Sequence, residues 1–276
     1  MEILGYFASA LIGVSLGLIG GGGSILTVPV LVYLFGVNPV PATAYSLFIV
    51  GATSLVGAVP KYREGMVNLK TALIFGIPAI LAVYATRAWL VPMIPDRVGG
   101  FGDFVVTKAM LMMGLFALLM VFASYSMIRS DKGSPEETVT GPQQFNYPMI
   151  LAEGAVVGVL TGLVGAGGGF LIIPALVLFS KLPMKQAVGT SLLIIAAKSL
   201  IGFTGDLSHY QFDWSLLGIV TSLAIAGIFI GNRLSRSVDG VKLKRGFGWF
   251  VLVMGIYILV KELYLTPAIP VAAIGH

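Results

Sequence analysis

The chain has 276 residues, of which 57% are hydrophobic and only 11% are charged. A soluble domain carries about 25% charged residues, so this composition excludes a soluble protein and predicts a multi-pass protein of the cell membrane. The formal net charge of +5 is spread over short polar segments, and the chain has no cysteine. We therefore expect no nucleic-acid partner, no disulfide and no thiolate metal site.

Ten apolar segments follow one another along the chain. A helix needs about 20 residues to span the bilayer core, so the segments 24–36 and 170–180 are too short to cross comfortably. Each follows a glycine run and an apolar segment of barely sufficient length, which predicts two half-helices meeting inside the membrane. The segments are 3–20, 24–36, 40–59, 68–90, 104–128, 148–164, 170–180, 186–204, 213–232 and 246–265.

The polar stretch 129–147 divides the chain into residues 1–128 and residues 148–276. We predict two transmembrane domains joined by a cytoplasmic linker. The two halves are repeats, because 17–57 aligned on 162–202 without a gap gives 17 identities in 41 pairs. The matched pairs include Gly22/Gly167, Gly23/Gly168, Pro29/Pro174, Ser46/Ser191 and Ser54/Ser199.

Lysine and arginine decide the relative orientation of the halves, because they favour the cytoplasmic side of a membrane. Parallel halves divide the basic residues ten against six, and inverted halves divide them twelve against four, with Lys198 set aside in both. We adopt the inverted arrangement, with the linker inside and both termini outside. It returns each glycine-broken pair to the side it came from, as a re-entrant hairpin or two short crossings. The predicted fold is an all-α polytopic membrane protein of two inverted repeats, each with one glycine-broken pair and about three full transmembrane helices.

The glycine runs 20–24 and 165–169 are the candidate binding site. Broken backbone at membrane depth is tolerated only where it is buried in protein or lines a wet cavity. A helix N-terminus attracts anions, and glycine lets the backbone approach a ligand, so half-helices starting at about Ser24 and Gly169 predict one anion site with two walls. The alternative is that the glycines only permit close helix packing. The predicted backbone site comprises Gly21, Gly22, Gly23, Ser24, Gly167, Gly168 and Gly169.

Polar side chains in the helices after the broken pairs extend this site. Ser46, Thr190 and Ser191 are placed to donate hydrogen bonds to an oxyanion, or else bond a carbonyl of their own helix. Lys198 follows Ser191 by about two turns on the same face. A lysine at this depth is costly, so it either faces a partner or cavity or extends its ammonium to the outer surface.

Acidic residues are scarce within the apolar segments, which favours an anion over a cation as ligand. Glu153 is the exception: it is a proton-coupling group, an interfacial residue or the partner of a basic residue in a loop. Arg87 ends a predicted helix, and we expect it to anchor that helix. Asp206, His209 and Asp213 share one outer loop, but two histidines in the whole chain argue against a metal site, and we expect no cofactor.

Both copies of the motif Gly-Leu-[Ile/Val]-Gly-[Gly/Ala]-Gly-Gly with its downstream proline, spaced 145 residues apart, resemble the TauE/SafE sulfite exporter family, also called the toluene-sulfonate uptake permease group. The pairs Ala42 with Ser46 and Ala187 with Ser191 add to the resemblance, which covers the chain apart from the linker. It implies a transporter of the cytoplasmic membrane, not an enzyme, for sulfite, thiosulfate or organosulfonates. Lys198 is not part of the shared pattern.

We therefore expect a secondary transporter that moves a small sulfur-containing anion by alternating access around a midplane site. An inside-negative potential favours anion export by roughly 2.3 kcal/mol per charge per 100 mV. The expected partners are the anion, the lipid bilayer and, if the proton gradient drives transport, protons. An anion channel and a non-transport assembly partner are the alternatives, and the sequence leaves a homodimer open.

Overall fold

The computed structural model describes residues 2–101, 104–129, 147–178, 180, 182–235 and 240–262. Nearly all of the predicted linker, 130–146, lies outside the described residues, as does the end of the chain from residue 263. A 3₁₀-helix (Gly21–Leu26) precedes α2, and a π-helical turn (Thr86–Leu90) and a short helical turn (Val91–Met93) continue α4. The helices are α1 (Glu2–Ile19), α2 (Thr27–Tyr33), α3 (Pro39–Arg63), α4 (Leu69–Ala85), α5 (Lys108–Arg129), α6 (Tyr147–Val164), α7 (Gly169–Leu178), α8 (Met184–Thr204), α9 (Trp214–Leu234) and α10 (Gly240–Val260).

Among the described residues, five helices are long and apolar enough to cross a membrane: α3, α4 with its extension to Met93, α5, α8 and α9. The protein is therefore a helical multi-pass membrane protein, as its composition predicts. One element was not predicted, an antiparallel hairpin of β1 (Arg97–Phe101) and β2 (Phe104–Thr107) between α4 and α5. β2 takes the first residues of the predicted apolar segment 104–128, because its aromatic and β-branched residues favour a strand.

Helices of one half pack against helices of the other. α1 packs along α9 and α6 along α4, while α3 packs along α8 and α5 along α10. In the sequence repeat, α1 corresponds to α6, α3 to α8, α4 to α9 and α5 to α10. The contact of α1 with α9 is therefore equivalent to the contact of α6 with α4. The other two contacts each join a helix to its own repeat equivalent.

Contacts of glycines give the directions of the paired helices. Where α3 meets α8, Gly51 lies against Leu200 and Gly57 lies against Leu192, so these two repeat-related helices are antiparallel. The helices α5 and α10 are antiparallel in the same way, through the contacts Gly248–Ile128 and Gly255–Met120.

The bundle has two ends, which we name by their connections. The hairpin end holds β1 and β2, the turn 205–213 between α8 and α9, and the turn 34–38 after α2. The linker end holds the turn 64–68, the end of α5 and the start of α6. Phe35 packs on Gly5 near the start of α1, so α2 returns the chain to the end at which α1 began.

Two hydrogen bonds at opposite ends of the bundle are related by the repeat. The backbone N–H of Asn68 donates to the hydroxyl of Thr190 at 2.9 Å, and the N–H of Asp213 donates to the hydroxyl of Tyr45. Asn68 and Asp213 are the N-cap residues of α4 and α9, and their side chains accept backbone N–H bonds there. Each hydroxyl therefore ties the start of one helix to a helix of the other half.

We expect Thr190→Val and Tyr45→Phe each to lower the free energy of unfolding by about 1 kcal/mol, because each removes the acceptor of a part-buried N–H. The measurement is the midpoint of unfolding in detergent. Ser222→Ala is the control, since that exposed hydroxyl bonds only to its own helix. If Thr190→Val leaves the midpoint unchanged, the hydroxyl does not hold the turn at Asn68.

Candidate functional site

The two glycine runs meet near the middle of the bundle. Gly21 lies directly against Gly169, and Gly167 lies against Val50 and Ser24. Val50 is close to the midpoint of α3, so the contact is about half-way along that helix. A side chain on Gly21 or on Gly169 would overlap the backbone of the other residue, and only glycine permits this approach.

Both runs leave their first helix at a glycine with a positive φ angle. Gly20 has a φ of 73° and its repeat mate Gly165 has a φ of 71°, values in the left-handed region that favours glycine. The second run then enters α7 at Gly169, as predicted. The first half-helix begins instead as a 3₁₀-helix at Gly21, ahead of the predicted start at about Ser24. The Ser24 hydroxyl, which donates at 2.7 Å to the carbonyl three residues earlier, matches this tighter turn.

Two of the predicted glycines, Gly22 and Gly23, are not in the contact between the two runs. Gly23 packs closely against the backbone of Leu16 in α1, so its lack of a side chain serves helix packing. Gly22 lies between Gly21 and Gly23 inside the 3₁₀-helix. The packing alternative therefore describes Gly23, whereas Gly21 lies in the contact between the halves.

Lys198 is fully buried in α8 and faces the second glycine run. Its ammonium donates to the hydroxyl of Thr161 at 2.5 Å, and that hydroxyl donates to the carbonyl of Val157 at 2.7 Å. The Nζ atom lies 3.0 Å from the position that a Cβ on Gly168 would take. The side chain therefore does not reach the membrane surface. Among the described residues no carboxylate pairs with this ammonium.

The predicted hydroxyls divide into two groups. Ser46 is fully buried in α3, and within the described part of the chain its Oγ has no hydrogen-bond partner. Ser191 donates to the carbonyl of Val188 at 2.8 Å, and Thr190 accepts from the N–H of Asn68. Thr190 therefore lies at the linker end, away from Lys198. The repeat position alone predicted Thr190, and its cross-half hydrogen bond depends on the folded bundle.

A buried ion pair next to the second run was not predicted. Arg87 does not anchor its helix at the surface: the side chains of Arg87 and Asp206 are 0% exposed, and their charged atoms are 3.3 Å apart. Arg87 also donates to the hydroxyl of Thr43 at 2.8 Å, and Thr43 packs directly against Gly165. A buried guanidinium needs a nearby counter-charge, which Asp206 supplies from the other half. No sequence spacing links the two residues.

The turn that holds Asp206 lies outside the membrane-spanning helices. Burial raises the pKa of the Asp206 carboxyl, and the charge of Arg87 opposes part of that rise. Burial, with the charge of Asp206, raises the pKa of the Tyr210 phenol. Within the described residues no group of three acidic or histidine side chains is arranged for a metal, and Asp213 caps α9 instead.

Comparison with known proteins assigns the family. The family model described as Sulfite exporter TauE/SafE matches residues 6–258, a range that includes both glycine runs, Lys198 and the Arg87–Asp206 pair. The chain belongs to the TauE/SafE family. This membership makes it a multi-pass membrane transporter rather than an enzyme, and it confirms the resemblance found in the sequence.

Similar proteins match this TauE/SafE chain over nearly their whole length. A "Probable membrane transporter protein" of Xylella fastidiosa (strain 9a5c) is 30% identical over 91% of this chain and 92% of its own. "Probable membrane transporter protein YdhB" of Bacillus subtilis (strain 168) is 27% identical over 90% of this chain and 96% of its own. A "Probable membrane transporter protein" of Haemophilus influenzae is 25% identical over 94% of this chain and 98% of its own. No solved structure matches the chain significantly.

Proposed function

We propose that this protein is a secondary transporter that exports a small sulfur-containing anion, such as sulfite, thiosulfate or an organosulfonate, by alternating access. One observation carries the proposal: a fully buried lysine that has no carboxylate partner among the described residues faces the place where glycine runs from both halves meet. A buried ammonium without a counter-charge is destabilising by several kcal/mol. An anion bound beside the runs supplies that charge.

The proposed site combines backbone and side-chain donors. Lys198 provides the charge and Ser46 provides a buried hydroxyl that has no other hydrogen bond among the described residues. Thr190 and Ser191 contribute from the linker side, where the Thr190 hydroxyl accepts from Asn68 and donates to no other described residue. The backbone contribution comes from Gly21, Gly22, Gly23, Ser24, Gly167, Gly168 and Gly169.

The proposed transport cycle uses two inverted repeats, residues 1–128 and 148–276, that rock about this site. The antiparallel pairing of α3 with α8 and of α5 with α10 supports the inversion. In parallel repeats, the two equivalent helices of each pair would run in the same direction. Basic residues concentrate at the linker end, which supports its assignment to the cytoplasm. Those whose side chains the structure describes there are Lys61, Arg63, Lys70, Arg129, Lys185, Arg233 and Arg245.

The substrate class and the direction rest on separate grounds. The family description names sulfite export, and a site with one lysine that no carboxylate pairs with in the described part of the chain is suited to an anion. Export follows from electrostatics, since an inside-negative potential drives an anion outward by roughly 2.3 kcal/mol per charge per 100 mV.

We expect a sulfur oxyanion or a sulfonate to stabilise the purified protein in a thermal screen of sulfite, thiosulfate, sulfate, taurine, sulfoacetate and carboxylates. A ligand at about 100 times its dissociation constant adds about 2.7 kcal/mol to the free energy of unfolding. The matched control is Ser199→Ala, which removes a buried hydroxyl beside Lys198 that has no hydrogen-bond partner among the described residues, and it should keep the full shift. The absence of a shift with every anion would argue against the site.

An anion channel with the same site is the second candidate. Flux in proteoliposomes separates the two, because a carrier saturates at a low rate and exchanges labelled for unlabelled anion. A flux that rises linearly with concentration and shows no counterflow favours the channel.

A further inference from the structure

We propose that the buried Arg87–Asp206 ion pair is the outer gate of this transporter, and that Asp206 binds the proton that opens it. The inference rests on the proposed transport function and on the outward orientation of the hairpin end. Arg87 comes from the π-helical turn after α4, Asp206 from the turn after α8, and Thr43 from the first turns of α3. The three elements belong to both halves, so this cluster fastens the halves together at the hairpin end.

The cluster lies directly on the glycine site. Thr43 accepts the hydrogen bond from Arg87 at 2.8 Å and packs against Gly165, where the second run turns out of α6. On its other side, a Cβ on Gly205 would lie 3.1 Å from the Cβ of Arg87. One layer of side chains therefore separates the ion pair from the runs, and its removal would open the runs toward the hairpin end.

The linker end differs from the hairpin end at the equivalent positions. In the repeat, Lys61 corresponds to Asp206 and Arg233 corresponds to Arg87. Two cations cannot form an ion pair with each other, and Lys61 lies instead 3.7 Å from Glu64. Lys61 and Arg233 line a cavity of about 490 Å³. An ion pair between the halves thus closes the hairpin end, while the equivalent positions at the linker end carry two cations, which line an indentation together with Glu64, as expected of a transporter closed on its outer side.

The hydrogen bonding of the Arg87–Asp206 pair makes it sensitive to protonation. Nη1 of Arg87 approaches Oδ2 of Asp206 at 3.3 Å and bonds Thr43, but within the described residues Nε and Nη2 of Arg87 and Oδ1 of Asp206 have no hydrogen-bond partner, so the pair lacks part of the bonding that stabilises buried ions. A proton added to the Asp206 carboxylate gives a neutral acid, and Arg87 keeps its own proton. The guanidinium is then a buried charge without a counter-ion, and opening to water is the way to solvate it.

The surroundings of Asp206 determine the direction of the pH effect. Burial raises the pKa of the carboxyl, while nearby cations oppose the rise. The acid form is therefore populated when the outer pH falls, and the gate opens on the acidic side. The charged and titratable groups around Asp206 are Arg87 after α4, Lys108 at the start of α5, His209 and Tyr210 in its own turn, and Asp96 before β1.

The test uses thiol accessibility, because the chain has no native cysteine. Ser46→Cys places one thiol in α3 about a turn deeper than Thr43, at a fully buried position. The probe is a membrane-impermeant maleimide added outside cells, with rates normalised to Gln211→Cys, an exposed position in the turn after Asp206. We expect normalised labelling at residue 46 to rise at least tenfold as the outer pH falls.

Variants of the pair give opposite results, which makes the test specific. Asp206→Asn should label rapidly at every pH, because Arg87 has lost its counter-charge. The double variant Arg87→Gln with Asp206→Asn should return to slow labelling at every pH, because no uncompensated charge is left. Asp213→Asn, an exposed acid in the same turn that keeps its capping oxygen, should behave like the parent protein.

The proposal is overturned if labelling at residue 46 does not depend on pH in the parent, or if the double variant labels as fast as Asp206→Asn. A pH response found only in inside-out vesicles would overturn the outer assignment. The assay needs no substrate, so it is independent of the anion screen. If anions shift the thermal midpoint but labelling at residue 46 does not depend on pH, the gate alone is rejected. If labelling depends on pH but no anion shifts the midpoint, the anion site alone is rejected.

Discussion

Replacing Lys198 by methionine is expected to raise the midpoint of thermal unfolding of the free protein and to abolish its stabilisation by anions. The ammonium is fully buried and bonds only to the Thr161 hydroxyl among the described residues. Burying an ion without a counter-charge is destabilising by several kcal/mol, and methionine has a similar length without the charge. Loss of a buried charge contact weakens binding by about 2–5 kcal/mol, which is at least about thirtyfold in affinity.

The Lys198→Met experiment is informative because the two expected effects are opposite: the free protein becomes more stable, whereas its stabilisation by anions is lost. The Thr161 hydroxyl keeps its bond to the carbonyl of Val157, so the substitution leaves no new unpaired donor. The midpoint is measured with and without the anion that stabilises the parent, and Ser199→Ala serves as the control for a change in the same turn of α8. A lowered midpoint in the free protein, or a retained anion shift, contradicts the assignment of Lys198 to the site.

Alanine at Gly169 or at Gly21 is expected to destabilise the protein by about 1–3 kcal/mol and to abolish transport, because overpacking forces the backbone to shift. The added methyl group would overlap the backbone of the opposite run, which cannot move aside as a flexible side chain can. The two halves would then be held apart at the place where the proposed site lies. The measurements are the unfolding midpoint and anion flux in proteoliposomes.

Gly218→Ala is the matched control for these substitutions. Gly218 lies in the spanning helix α9, and a Cβ there would have no neighbour within 4 Å. Alanine stabilises a helix interior by roughly 0.5–1 kcal/mol relative to glycine, so this variant should unfold slightly later and transport normally. Normal flux in Gly169→Ala and Gly21→Ala would show that the contact between the runs is not part of the transport site.

Composition and internal similarity were sufficient to predict much of this molecule. An apolar fraction of 57% is incompatible with a soluble surface, and each apolar segment overlaps a helix of the structure. Identity between 17–57 and 162–202 predicted equivalent roles for equivalent positions. The matched positive φ angles of Gly20 and Gly165 follow that expectation, because glycine at both positions permits this φ.

Only the tertiary structure decided which polar groups meet. Helix α8 is apolar nearly all round, so its periodicity does not indicate that Lys198 points at Gly168 rather than at lipid. Arg87 and Asp206 are far apart in the chain and belong to different halves, and their pairing exists because α4 and α8 pack side by side. Local sequence patterns determine whether each segment is apolar enough and long enough to form a helix in the bilayer. The charge partners depend on contacts between distant segments, and those arise only when the two halves interlock.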